Sequence, residues 1–114
     1  MKEEDKELLL KDLCARLPYG VIVKAIYDKP ITREMGLGTL HDFMFDNISD
    51  VKPYLRPIES MTEKEKKEFS EISNIIVHTP DEFIDWLNEH HFDYRGLIPM
   101  GLAIEAPENM YKTE

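Results

Sequence analysis

Two adjacent histidines, His90 and His91, come closest in this sequence to the residue types and spacing of a chemical site. Glu89 precedes them and Asp93 follows, so imidazole and carboxylate groups lie close together in the chain. Such groups can transfer protons or bind a cation. Adjacent helical residues point about 100° apart, and the i, i+4 histidine pair of helical zinc sites is absent. We therefore predict no metal and no cofactor, and expect one half-buried histidine and one that caps a helix C-terminus.

Neither a reactive thiol nor a phosphate-binding loop is predicted. Cys14 is the only cysteine, and it falls on the apolar stripe of a predicted helix, where we expect it to pack as a small buried hydrophobe. Residues 36–38 (GLG) lack the third glycine of a dinucleotide fingerprint and the lysine of a phosphate loop, and no clear helix pattern follows them. We assign no catalytic residue.

An acidic face is the better candidate for a functional surface. Asp81, Asp85 and Glu89 repeat every four residues along a predicted helix, and Asp93 lies just beyond it. These carboxylates can attract a basic protein and accelerate its association. The plainer interpretation is an ordinary solvated helix face, with Asp81 favoured at the positive helix end. We expect a non-enzymatic protein-interaction domain.

Two rival hypotheses stay open. The first is a small-ligand-binding or enzymatic pocket formed by His90, His91, Tyr94 and Arg95 with nearby acids. It predicts that histidines converge in space and that at least one has a shifted pKa. The second is a structural subunit whose exposed edge strand, near Tyr54 or Ile104, pairs with a copy of itself to form a homodimer.

Charge and hydropathy narrow the classes of partner. The formal net charge is −9, and residues 76–114 carry eight acidic against two basic residues. The longest basic run is Lys66-Lys67, so we expect no direct binding to nucleic acid. The longest apolar runs have three residues, far below the roughly 20 that a spanning helix needs. With an acidic N-terminus and a single cysteine, the sequence favours a cytoplasmic location.

Three helices are predicted from apolar spacing and capping signals. The first covers residues 4–16 and stops at Pro18. The second begins at Thr62, which forms a capping box with Glu65, and runs through residue 73. The third begins after Thr79, with proline at its first position, and runs to about residue 90.

The strands are harder to place. Residues 21–27 (VIVKAIY) predict a central strand, because they are β-branched and mostly apolar on both faces. Weak alternation predicts another strand at residues 39–45, and Pro53 and Pro57 allow only a short edge strand or connector at residues 54–56. Residues 75–77 predict a short strand or buried turn, and residues 97–98 and 102–104 one or two closing strands.

This order of elements favours an α+β fold, with a small, mainly antiparallel sheet and about three helices packed on it. We expect residues 1–114 to form a single domain, with a frayed tail at about residues 108–114.

Three stretches resemble an uncharacterised family of short proteins from gut Bacteroidetes and their phages and mobile elements. They are LCARLPYGV (residues 13–21), VKPYLRP leading to SMT (51–57 and 60–62), and DWLNEHHFDYRGLI (85–98). The last is the most specific, because of its length and its mixed polar and aromatic content. Residues 28–50 depart from the family pattern. The resemblance implies a bacterial or phage setting and supplies no catalytic residues.

Overall fold

The computed structural model describes residues 2–48, 50–74 and 80–111. Within these residues the chain forms an α+β fold, which confirms the predicted class. Its elements are, in chain order, α1 (Glu3–Arg16), β1 (Ile22–Ile26), β2 (Pro30–Glu34), α2 (Leu37–Met44), β3 (Asp50–Leu55), α3 (Glu63–Asn74), α4 (Pro80–Glu89) and β4 (Ile104–Glu105). None of the described helices has the length and apolar content to cross a membrane.

The strands form one sheet in the order β2-β1-β3-β4. The β1–β2 and β1–β3 pairs are antiparallel and the β3–β4 pair is parallel, so the sheet is mainly antiparallel, as predicted. β1 is an interior strand, also as predicted. Val23 and Ala25 point from β1 into the core, while the side chains of the opposite sheet face are only half-buried.

α1 has the predicted extent but a rotated buried face. Its fully buried residues are Leu9, Asp12, Leu13 and Arg16, whereas Cys14 is exposed. The expected role of Cys14 as a buried hydrophobe is therefore wrong. Asp12 and Arg16 replace it on the inner face because they lie one turn apart and neutralise each other, with Arg16 Nε 2.7 Å from Asp12 Oδ2.

Residues 28–50 contain the largest error of the sequence prediction. The strand expected at residues 39–45 is the helix α2, and β2 was not predicted. Leu37, Leu40, His41 and Met44 fit the helical spacing of three and four, which outweighs the weak alternation. The sequence pattern did not indicate β2, because all five of its residues are exposed and only Ile31 is a large apolar residue.

β3 is longer than the predicted edge strand, and it lies inside the sheet. Pro53 is tolerated there because it opposes Val23 at a position where the strand's backbone nitrogen points away from β1. On that other side, β4 pairs only with Tyr54 and Leu55. The missing N–H of Pro53 therefore removes no ladder hydrogen bond.

The capping box of α3 is confirmed. Thr62 Oγ1 accepts from the Glu65 N–H at 3.2 Å, and Glu65 Oε1 accepts from the Thr62 N–H at 2.9 Å. α4 begins at Pro80, as predicted, while its expected cap Thr79 and the strand or turn expected at residues 75–77 lie outside the described residues.

The C-terminal segment makes specific contacts up to Tyr111, and residues 112–114 of the predicted tail lie outside the described residues. Residues 97–98 form part of a turn, and β4 is the one closing strand of the described chain. Tyr111 lies in the predicted frayed tail, yet its hydroxyl accepts from the Ile22 N–H at 2.8 Å and donates to the Tyr54 carbonyl at 2.8 Å. The hydroxyl bridges β1 and β3 one position beyond their last paired residues, Val23 and Pro53, so the prediction of fraying is wrong for this residue.

Two apolar clusters stabilise the fold. We call the larger one the sheet core; its buried members are Leu9, Leu13, Val21, Val23, Ala25, Met35, Leu40, Phe43, Ile48, Val51, Leu55, Leu97, Leu102 and Ala103. We call the smaller one the aromatic cluster; it contains Met61, Trp86, Leu87 and Phe92, with Phe69, Ile72, Phe83, Ile84 and Tyr94 packed against them. α1, α2 and the sheet enclose the first cluster, and α3 and α4 meet in the second.

Candidate functional site

His90 lies between α3 and α4, beside two carboxylates. Its Nδ1 is 3.8 Å from Glu65 Oε2 and its Nε2 is 3.9 Å from Glu68 Oε2, while its ring lies 4.2 Å from that of Trp86. Burial beside Trp86 lowers the pKa of His90, although the nearby carboxylates favour its charged form. At neutral pH the side chain is therefore an uncharged packing partner of Trp86.

His91 has different neighbours, and its backbone ends α4. Its φ of 63° is left-handed, its N–H bonds to the Asn88 carbonyl, and the Phe92 N–H bonds to the Leu87 carbonyl. These bonds form a Schellman motif that ends α4, so the predicted helix-capping histidine is present. The ring stacks on Tyr111 at 3.7 Å. Burial, with a smaller contribution from Arg16, lowers the pKa of His91 to about 4.

Tyr94 and Arg95, the other two residues of the predicted pocket, belong to a buried hydrogen-bond network. Arg95 Nε donates to Asp12 Oδ1 at 3.0 Å, and the Tyr94 hydroxyl donates to Asn88 Oδ1 at 2.9 Å. Arg16 bonds the other oxygen of Asp12 and donates to the Phe92 carbonyl at 2.7 Å. This network ties α1 to the turn after α4, so these residues position structural elements.

Among the described residues, the side chains of the predicted pocket have separate packing and hydrogen-bonding partners. His90 packs on Trp86, His91 stacks on Tyr111, and His41 lies on α2, 4.7 Å from the ring of Phe45. His78 is outside the described residues. No group of three or more metal-ligating side chains is formed among the residues that the structure describes. The pKa values of His90 and His91 are lowered, and that hypothesis required a shifted histidine pKa, but burial is the largest cause of both shifts.

A second buried ion pair joins β3 to α3. Arg56 donates to both oxygens of Glu65 at 2.7 and 2.6 Å, and its guanidinium lies 4.3 Å from the ring centre of Phe92. Burial alone would raise the pKa of Glu65, but the hydrogen bonds from Arg56 and the Thr62 N–H lower it to about 2. Glu65 thus stays ionised in the fold, and its charge is already neutralised.

The acidic face of α4 is present, but it has three members. Asp81, Asp85 and Glu89 are exposed, and within the described chain no cation pairs with them. Asp93 lies elsewhere: it is buried, and its carboxylate accepts from the N–H groups of Leu97 and Ile98 at 2.8 and 2.9 Å. We call Asp81, Asp85 and Glu89 the acidic strip. It lies beside the half-buried Tyr19, and the pKa of Tyr19 is raised by desolvation and, to a smaller extent, by Asp85 and Glu89.

α2 carries a surface that the sequence prediction missed. Leu40 and Phe43 point into the sheet core, whereas Leu37, Met44 and Phe45 are 71, 43 and 61% exposed. These three residues lie at positions i, i+7 and i+8, so they share one side of the helix. We call this surface the α2 face. The apolar residues at positions 37, 44 and 45 follow helical spacing, but a helical surface could not be predicted while residues 39–45 were assigned to a strand.

A groove borders the α2 face and has an acidic rim. The groove measures about 390 Å³ and separates Lys6 and Leu10 of α1 from Phe43 and Met44. On its rim Glu3 is exposed, and Lys6, which also lines the groove, is bound to Asp46. Glu7, one turn further along α1, is exposed as well. The groove thus combines apolar side chains of α1 and α2 with carboxylates, and among the described residues no cation pairs with Glu3 or Glu7.

No family model matches the chain, and no curated protein and no solved structure matches it either. The candidate surfaces are therefore judged on their own geometry and charge.

Proposed function

We propose that this chain is a non-enzymatic, cytoplasmic protein-interaction domain that binds a basic amphipathic helix of a partner protein across the α2 face. The observation that carries the proposal is the exposure of Leu37, Met44 and Phe45 on one side of a helix whose other side is already buried. Exposed apolar side chains that cluster in this way are typical of protein interfaces.

Energetics favours the α2 face over the acidic strip as the contact surface. Fully burying a Leu, Met or Phe side chain gains roughly 1.5–3 kcal/mol, so a partner covering these three residues gains several kcal/mol. The carboxylates of α4, by contrast, are well solvated, and an exposed ion pair gains only about 0–1 kcal/mol. The strip of Asp81, Asp85 and Glu89 then contributes long-range attraction more than contact energy.

Charge and shape specify the partner. An amphipathic helix that places apolar side chains in the groove brings its flanking polar residues towards Glu3 on the rim and towards the exposed Glu7 one turn further along α1. Basic residues at those flanking positions meet uncompensated carboxylates, whereas acidic ones meet repulsion. The net charge of −9 disfavours acidic partners further.

The test is affinity capture from a lysate of a gut Bacteroidetes strain, the setting that the family resemblance implies. Wild-type protein and a Leu37→Ser/Phe45→Ser variant are compared, and retained proteins are identified by mass spectrometry. We expect a protein with a basic amphipathic segment to be retained by the wild type and lost by the variant. A synthetic peptide of that segment should then bind the wild type directly.

Met100→Ser is the matched control, because Met100 is also about half exposed but lies in the turn before β4. It should capture the same protein as the wild type. Charge reversal at Glu3 and Glu7 should weaken capture at low and moderate salt, and reversal at Asp85 and Glu89 should slow association only at low salt. Capture that survives the Leu37→Ser/Phe45→Ser change would refute the assignment to the α2 face.

A further inference from the structure

The outer edge of β2 is an open hydrogen-bonding surface. The Met35 N–H bonds to the Val21 carbonyl, and the register pairs Val23 with Arg33 and Ala25 with Ile31. Odd-numbered residues of β2 therefore bond to β1, and the backbone groups of the even-numbered ones point outward. Thr32 and Glu34 present both N–H and C=O there, whereas Pro30 presents C=O alone. All five residues of β2 are exposed.

We propose that β2 pairs antiparallel with β2 of a second copy of this chain, about a two-fold axis at Thr32, to form a homodimer with one continuous sheet. The site is independent of the α2 face. It differs from the homodimer hypothesis based on Tyr54 or Ile104: Tyr54 lies in the interior strand β3, whereas Ile104 lies in the edge strand β4, which has only two residues.

The hydrogen-bonding groups of the edge fit this register. Thr32 exchanges both backbone hydrogen bonds with Thr32 of the copy, and each Glu34 N–H donates to the Pro30 carbonyl of the other chain. Every outward N–H of the strand is satisfied. Pro30, which has no N–H to donate, falls opposite the Glu34 carbonyl, and that acceptor stays open to water.

Side chains disfavour the alternative two-fold registers. Shifting the axis to residue 33 places Arg33 directly opposite its copy, and shifting it to residue 34 does the same for Glu34; like charges in these positions are destabilising. An axis at residue 31 leaves the Glu34 N–H groups without partners. With the axis at Thr32, threonine opposes threonine and the aliphatic stem of Arg33 lies against Ile31, which is 39% exposed in the single chain.

Sedimentation velocity over a concentration series provides the first test. We expect the mass to rise from 13.4 kDa towards twice that value with concentration. Thr32→Pro should keep the protein monomeric, because it removes only an outward N–H, and circular dichroism should show that the variant folds. Thr32→Val keeps the N–H and should dimerise like the wild type. A wild type that stays monomeric throughout the series, or a Thr32→Pro variant that still dimerises, would overturn the proposal.

Disulfide trapping tests the register. With Cys14 replaced by serine, Thr32→Cys places two cysteines in a directly opposed pair, about 5.5 Å apart between Cα atoms, which a disulfide can span. Mild oxidation should yield a covalent dimer. Glu34→Cys in the same background is the matched control, because its copies are separated by roughly four residues of strand, about 13 Å. A cross-link from Glu34→Cys and none from Thr32→Cys would contradict the register.

Discussion

The sheet core and the aromatic cluster are held in place by different interactions. The sheet core is mainly aliphatic and is framed by the hydrogen-bonded β1–β2 and β1–β3 ladders. Among the residues that the structure describes, the aromatic cluster has four buried members, and an isolated bridge between Arg56 and Phe92 joins its backbone to the end of β3. Arginine side chains supply further attachment. Contacts between the rings stabilise the packing inside the aromatic cluster, whereas buried guanidinium groups hold the cluster against α1 and β3.

Arg16 and Arg56 both contact Phe92. Arg16 donates to the Phe92 carbonyl, and Arg56 covers the Phe92 ring. The Arg16–Asp12 pair is fully buried, whereas the side chains of Arg56 and Glu65 are 11 and 4% exposed. A charge left alone at the first site cannot reach water, so the two pairs should differ in energetic importance.

The largest effect is expected from Arg16→Met. Within the described part of the chain it leaves Asp12 paired with Arg95 alone and the Phe92 carbonyl without its side-chain donor, and it should cost roughly 3–5 kcal/mol of unfolding free energy. Arg56→Met should cost less, roughly 1–3 kcal/mol, because Glu65 keeps its bond to the Thr62 N–H. Urea unfolding measures both. An equal or reversed order would contradict the comparison, and Asp12→Leu in the Arg16→Met background should recover part of the loss.

Acid should weaken the fold in two pH windows, each due to one group near the aromatic cluster. His91 is neutral in the fold down to about pH 4, while the unfolded chain protonates near pH 6.5, so stability falls as pH drops between these values. Glu65, with a pKa lowered from 4.5 to about 2, contributes a further loss of roughly 3 kcal/mol as pH falls between those values.

Unfolding free energy measured against pH should separate the two windows. His91→Asn, which tolerates the left-handed backbone, should flatten the profile between pH 6.5 and 4, and Glu65→Gln should flatten it between pH 4.5 and 2. If each variant keeps the wild-type slope in its own window, the assigned groups are not the source.

Phe69→Ala should loosen the aromatic cluster alone. Phe69 is half-buried between the rings of Phe83 and Trp86, with centroids 5.0 and 5.6 Å away, so its loss should cost about 2 kcal/mol. Native-state hydrogen exchange should accelerate in α3 and α4 and stay unchanged in β1 and β3. Leu13→Ala, in the sheet core, is the control and should accelerate exchange throughout. Uniform acceleration by Phe69→Ala would mean that the two clusters unfold as one unit.

The smallest effect is expected from Asp46→Gly. α2 ends, like α4, in a Schellman motif, with Asp46 at a left-handed φ of 59° and the Asn47 N–H bonded to the Asp42 carbonyl. Glycine removes the strain at this position but also the ion pair with Lys6, so we expect a net stabilisation below about 1 kcal/mol in urea unfolding. A destabilisation above about 1 kcal/mol would show that the Lys6–Asp46 ion pair stabilises the fold by more than the backbone strain at residue 46 destabilises it.

Local signals explain which elements could be predicted from the sequence. Thr62 with Glu65 and the proline at the first position of α4 fixed two helix starts, and the β-branched run fixed β1. β2 carries no burial signal, because it is an exposed edge, and α2 is apolar on both sides, which obscures its period. Pattern alone could not distinguish a short helix from a strand there.

The candidate surfaces were less predictable, because their members depend on tertiary packing. Asp85 and Glu89 are exposed as the helical period indicated, but Asp93 is buried because the backbone turns towards it. His90 and His91 are adjacent in sequence yet pack on different elements. Charged residues spaced like Asp12 and Arg16 are usually a surface pair, so their burial could not be read from the spacing.

The most direct test of the proposed function combines the stability and the binding of one variant, Leu37→Ser/Phe45→Ser. If these exposed side chains serve a partner, the unfolding free energy should stay within about 0.5 kcal/mol of the wild type while capture of the basic partner is lost. A loss of several kcal/mol would show that the α2 face stabilises the fold itself. Unchanged capture would show that the partner binds elsewhere, and either result would contradict the account.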